Sequence, residues 1–184
     1  TRSALLRGAG VAFETAGSGV DEDETKRRML GEGPRAVARA LAAEKAVAVS
    51  RRGPGLVIGA DQTLDLGGTL FDKAEGLVEA KDRLMILRGR THLLHSAVAL
   101  AEDGKVVWEE TVSASLTMRF FSEAFLDGYL QRGGENLLGS VGCYMLEGEG
   151  AQLFDSIDGD YFTILGLPLF GLLAELRRRG EIPT

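Results

Sequence analysis

Cysteine is almost absent from this chain. Cys143 stands alone among 184 residues, so no internal disulfide can form, and a reducing cytoplasm is the natural compartment. Long apolar runs are missing too. No stretch approaches the ~18 residues a membrane-spanning helix needs, and nothing at the start reads as a signal peptide. A soluble protein with no membrane partner is expected. Nor is there an excess of basic charge: 21 Lys and Arg against 27 Asp and Glu leave a net charge of -6. That balance argues against a nucleic-acid polymer as partner, because polymer binding neutralises many phosphates with a broad basic surface. A small anion held by a few placed cations stays open. Histidine is scarce, and no Cys or carboxylate sits at ligand spacing from His92 or His95, which disfavours a zinc site.

What is present suffices for a core. At 45% hydrophobic, the chain can bury one sizeable core, or two small lobes sharing a sheet, without disulfides. Arg2 to Ala9 reads as a helix stopped at Gly10, and Val11 to Ala16 as a short strand. The acidic segment GVDEDETKRR that follows has turn and surface character. Pro34 opens an alanine-rich helix toward Ser50. RRGPG breaks it, and the apolar run from Leu56 reads as a strand buried on both faces that ends at Asp61 and Gln62.

Beyond Gly68, Ala74 to Leu87 has helical spacing. Leu93 to Leu100 and Glu109 to Phe120 read as strands joined by the turn EDGK, the second alternating from Val112 through Ala114, Leu116 and Met118. A helix from Ser122 to about Gln131 comes next. After a glycine-rich stretch from Gly133 to Gly150, AQLFDSI and DYFTILG read as a hairpin around Asp158-Gly159, and Pro168 starts a last helix toward Arg179. No repeat or linker divides the chain. One α/β unit over residues 1–184 with a mixed sheet is the economical expectation.

In open α/β sheets, ligands bind outside the carboxyl ends of strands, where Asp61 is expected. A lone strand-end aspartate serves equally to cap a turn. Glu22, Lys45, Lys73 and Arg2, each taken singly, read as solvated surface charges.

Their order and neighbours say more. The chain resembles the Maf family of nucleoside-triphosphate pyrophosphatases along essentially its whole length. The matching pieces are R-x-x-L-L from Arg2, V-D-E at Val20 to Glu22, A-x-E-K-A at Ala42 to Ala46 and V-I-G-A-D-Q at Val57 to Gln62. L-R-G-R-T-H at Leu87 to His92 and G-L-P-L at Gly166 to Leu169 complete the set. The resemblance implies a two-lobed α/β fold, similar to inosine triphosphatase, with a curved mixed sheet around a cleft. It also implies a divalent cation, magnesium or manganese, a homodimer, and hydrolysis of a nucleotide to its monophosphate and pyrophosphate.

By the same resemblance Asp61 is the catalytic base. Glu22 and Asp61 are the metal carboxylates, and Arg2, Lys45 and Lys73 hold the phosphates. The residue types suit that chemistry: water must be aimed at the α phosphorus and the departing pyrophosphate must be neutralised. The family's opening Leu-Ala-Ser-x-Ser strand and loop would fall before Arg2, so part of the phosphate cradle is expected outside this chain. The usual Gly-Lys-Pro is Asp72-Lys73-Ala74 here, which keeps the cation and loses the rigid turn.

Three positions choose the base by resemblance: Thr1, Gln62 and Glu147. Gln62 and Glu147-Gly148 match the branch acting on 7-methyl-GTP, and Thr1 stands where either branch carries a large residue. A carboxylate accepts from the N–H donors of guanine and attracts the charge that N7-methylation creates. Hydrolysis of dTTP or UTP, and a non-catalytic nucleotide-binding regulator of septum formation, are the alternatives. The apolar Leu93 to Leu100 strand is taken as a sign of a dimer. His92 is expected to hydrogen-bond to backbone near the cleft, and Cys143 to be a core thiol.

Overall fold

A computed structural model describes residues 1–29 and 31–184. Helix α1 (Arg2–Gly8) is followed by an irregular stretch, then α2 (Glu22–Arg28) and the long α3 (Pro34–Ser50). Strands β1 (Val57–Leu66) and β2 (Thr69–Phe71), helix α4 (Leu77–Leu87), and the hairpin β3 (Thr91–Glu102) and β4 (Lys105–Met118) form the middle. Helix α5 (Glu123–Gly133), strand β5 (Phe154–Asp158), the single turn α6 (Tyr161–Ile164) and α7 (Leu169–Arg179) complete the chain. The class is α/β, with helices packed around one sheet of order β2-β1-β3-β4-β5.

A mixed sheet was expected, yet all four pairings are antiparallel. The links explain this. Gly67-Gly68 and Asp103-Gly104 are two-residue turns with positive φ throughout, which join only antiparallel neighbours. β2 and β3 do run in the same direction, but they flank β1 and never pair.

Three further expectations change. Val11 to Ala16 is not a strand: Val11 and Phe13 instead pack into an apolar cluster with Leu6, Val98 and Leu167, and the segment has no strand neighbour among the described residues. The acidic segment is not a turn but α2. The Asp21 side chain accepts from Glu24 N–H at its start, acids fill the first turn and bases the last, as the helix dipole favours. The hairpin at Asp158-Gly159 is a strand followed by a helix, because the Asp160 carboxylate caps α6 at Thr163 N–H.

β1 does not stop at Asp61. It pairs with β3 from Val57↔Ala101 to Asp65↔Leu93, so the ladder carries the polar Asp61-Gln62 step through mid-strand. Above it lies α3, whose Ala38, Ala42 and Ala46 meet Ala97, Ala99 and Ala101 of β3 in an all-alanine layer. The approach is so close that a Cβ on Gly59 would lie 2.3 Å from Ala42 O and 2.5 Å from Ala46 N. Two larger clusters occupy opposite ends of the long strands. One joins α4 and α5 to Leu64, Leu94, Leu116 and Met118; the other joins α1 and α7 to Val98 and Leu100. The residues from Leu94 to Leu100 are buried within this chain, in the central strand, and Leu93 is half-buried. Among the described residues no helix is long and apolar enough to cross a membrane.

Candidate active site

An open cleft of ≈ 940 Å³ is lined by all eight residues singled out in the sequence: Thr1, Arg2, Glu22, Lys45, Asp61, Gln62, Lys73 and Glu147. They come from α1, α2, α3, β1 and two loops, so only the tertiary fold brings them together.

The centre is an ammonium between two carboxylates. Lys45 Nζ lies 2.6 Å from Asp61 Oδ1 and 2.6 Å from Glu22 Oε1. Lys45 is on the fourth turn of α3, held over β1 by the alanine layer, while Glu22 opens α2. The carboxylates share this cation but differ in setting, since the Asp61 side chain is 10% exposed and that of Glu22 47%. Burial raises the Asp61 pKa above the ordinary aspartate value despite Lys45 and Arg2. Burial pushes Glu22 the same way, but its bond to Lys45 and the charges of Lys45, Lys26 and Lys73 prevail, and it falls below the ordinary value. The two settings thus move the two carboxylates in opposite directions.

Arg2 Nε donates to Gly166 O at 2.9 Å, fixing the guanidinium near this centre; burial lowers its pKa, and the charges of Asp61 and Glu22 act against that. Lys73 makes no ion pair among the described residues, so its ammonium is free for a ligand. Lys26 also lines the cleft and is bonded to Asp72 Oδ1 at 2.6 Å. Reading α2 as a turn hid it: as a helix, Glu22 and Lys26 fall at i and i+4 on one face. Arg83, buried on α4, donates to Asp72 O and to Val141 O, tying together the two cleft-lining loops that carry Lys73 and Glu147.

Gln62 points to the opposite sheet face. Its Nε2 donates to Ser96 Oγ at 2.9 Å, Ile164 O at 3.0 Å and Thr163 O at 3.1 Å. With its amide hydrogens held there, Oε1 is left as an acceptor. Behind this wall His92 does not bond to backbone as expected. Its Nε2 lies 2.7 Å from Tyr144 Oη, and burial lowers its pKa to about 4. Cys143 is fully buried, and burial raises its thiol pKa.

The family model described as Maf-like protein matches residues 1–179. The chain belongs to the Maf-like family. It is 60% identical over 183 residues to a nucleoside triphosphate pyrophosphatase of Caulobacter vibrioides, covering 98% of this chain and 92% of that protein. A nucleoside triphosphate pyrophosphatase of Paramagnetospirillum magneticum is 52% identical over 184 residues, covering 98% and 95%. A 7-methyl-GTP pyrophosphatase of Brucella abortus is 49% identical over 180 residues, covering 96% and 90%. The Maf-like matching thus runs across both clusters and every wall of the cleft.

Proposed function

We propose that this chain is a nucleoside triphosphate pyrophosphatase, with 7-methyl-GTP as its preferred substrate. The observation that carries the reading is the pair of carboxylates, Asp61 and Glu22, on one lysine within a cleft that also presents Arg2 and Lys73. Water attacks the α phosphorus, its proton passes to Asp61, and the bond to the bridging oxygen breaks, giving the monophosphate and pyrophosphate. Asp61 suits this role because its desolvated carboxylate takes a proton more readily than an ordinary one. Lys45, Lys73 and Arg2 hold the phosphates, the lysines as point charges and the arginine as a fork.

Among the described residues no three His, Cys, Asp or Glu side chains converge into a metal cage. Two carboxylates beside a phosphate site nevertheless suit magnesium or manganese, whose shell substrate oxygens and water complete. Glu22 and Asp61 would hold such an ion, which would supply charge neutralisation at the phosphates.

Base preference rests on Gln62 and Glu147, two acceptors facing one cleft, which suit the N1–H and N2 amino donors of guanine. The name of the Brucella relative agrees with that preference. Pyrophosphate release from 7-methyl-GTP, GTP, dTTP and UTP with magnesium or manganese tests both levels. The highest kcat/KM is expected for 7-methyl-GTP, and Glu147→Gln is expected to cut that rate about tenfold while sparing the pyrimidines. A clear preference for dTTP or UTP defeats the substrate assignment; nucleotide binding without release, unaltered by Asp61→Asn, defeats the enzyme.

A further inference from the structure

The His92–Tyr144 pair has one proton too many. Burial keeps His92 a neutral imidazole and holds the Tyr144 phenol well above its ordinary pKa, so the pair carries one imidazole N–H and one O–H. They share a single hydrogen bond. One of the two protons is therefore used within the pair and the other is left over.

Two arrangements are available. If Tyr144 donates to Nε2, the imidazole proton sits on Nδ1, which is buried without a partner among the described residues. If Nε2–H donates to Tyr144 Oη, Nδ1 is a bare lone pair and the surplus proton is on the phenol. An orphaned buried N–H is rarer and costlier than an under-used acceptor. His92 is walled off at 1% exposure, packed against Tyr144 and Phe154. Tyr144, itself 4% exposed, lines the cleft at its inner wall. The second arrangement places the free donor on the residue that lines the cleft.

The register says which end of the ligand it meets. His92, Leu94 and Ser96 alternate onto the same face of β3, and Gln62 lies opposite Ser96 and bonds to it. Lys45 bonds to Asp61, which alternation places on the other face of β1. Tyr144 thus belongs with Gln62 and Glu147, away from the phosphate cations. Gln62 Oε1 and the Glu147 carboxylate only accept there, so Tyr144 is the complementary donor.

We propose that the Tyr144 hydroxyl donates to an exocyclic oxygen of the nucleobase, selecting oxo bases over amino bases, with His92 as the residue that fixes the direction of that donation. A guanine or 7-methylguanine offers O6 at the position where adenine carries an amino group. An amino group there would set donor against donor and leave the hydroxyl unpaired. The proposal rests on the pyrophosphatase reading for its assay, and a binding measurement separates the two.

Tyr144→Phe is expected to lower kcat/KM for GTP about fivefold to tenfold more than for ATP, the loss of one neutral hydrogen bond. His92→Phe is expected to shrink the GTP-over-ATP ratio, and His92→Gln, whose amide can again donate to the phenol, to restore part of it. A residue that merely filled space would lower both substrates together. If the unaltered chain releases no pyrophosphate from any nucleotide, the functional reading fails. Calorimetric affinities for the non-hydrolysable α,β-methylene analogues of GTP and ATP then decide the matter. A GTP preference lost in Tyr144→Phe supports the assignment. Equal losses for the two nucleotides, in turnover or in binding, with the thermal midpoint unchanged, overturn it. Ribose contact is the other source of an acceptor, and it predicts such an equal loss, or a fall for GTP that dGTP does not share.

Discussion

Asp61→Asn should abolish most pyrophosphate release and yet make the protein more resistant to heat at neutral pH. The kinetic half follows from its proposed role as base: losing a positioned base lowers the rate by about 10²–10⁴. The thermal half follows from its setting. Burial raises the folded-state pKa of Asp61 above its ordinary value, so the native chain binds a proton there more tightly than the unfolded chain. Stability then falls as pH rises from the ordinary aspartate value through the raised one, and the loss is complete above it. At pH 7 the ionised, desolvated carboxylate is a burden that asparagine removes, while Lys45 keeps its bond to Glu22. Below the ordinary value both side chains are neutral and the difference vanishes. Melting curves across that range, beside turnover assays, check both halves. A variant that melts lower than the parent at pH 7, or retains its turnover, contradicts this account of Asp61.

The second large effect lies away from any charged group. Gly59→Ala is expected to destabilise the chain by about 1–3 kcal/mol and to lower turnover by more than the remaining folded fraction explains. The added Cβ would press on backbone atoms of Ala42 and Ala46 at 2.3 and 2.5 Å, and no side-chain rotation can relieve that. The helix must lift, and Lys45, between those two alanines, lifts with it from Asp61. Gly8→Ala is the control: a Cβ there meets nothing within 4 Å, so chemical denaturation should leave it near the parent. Equal midpoints for the two variants would show that the helix has room to yield.

The contrast between these positions shows what can be read along the chain and what cannot. The α3 helix, the β3–β4 hairpin and the buried alternation of Ala114, Leu116 and Met118 follow from periodicity and turn residues, which are local properties. The extent of β1 does not. An aspartate and an amide ordinarily close an apolar run; here β3 pairs beyond them, and Lys45 and Ser96 satisfy their side chains. Capping misled in two places, where Asp21 and Asp160 start helices that acidity and a Gly turn disguised. The charged candidates were found through motif order, because types and spacing alone read as surface charge. No motif marks Lys26 or Arg83, and Tyr144 lies in a glycine-rich stretch without periodicity. Their roles come from contacts to distant backbone and side chains, which only the folded chain displays.

The contacts that build the cleft also span very different separations along the chain. Glu22, Lys45 and Asp61 lie on successive elements, with 16 residues from Lys45 to Asp61. Gln62, one residue later, is held by carbonyls 101 and 102 residues away. Closing the first loop costs less entropy than closing the second, and near contacts form faster than far ones. The Glu22–Lys45–Asp61 centre should therefore assemble early in folding, while Gln62, and Arg2 held by Gly166 O 164 residues away, stay loose until the turn after α6 arrives. Pulse-labelled amide exchange during refolding would show it as protection in α3 before the Ile164 and Gly166 amides; the reverse order would mean that the ends of the chain meet first. A newly made molecule would then seat its lysine between the two carboxylates before the last turn of chain closes the cleft around them.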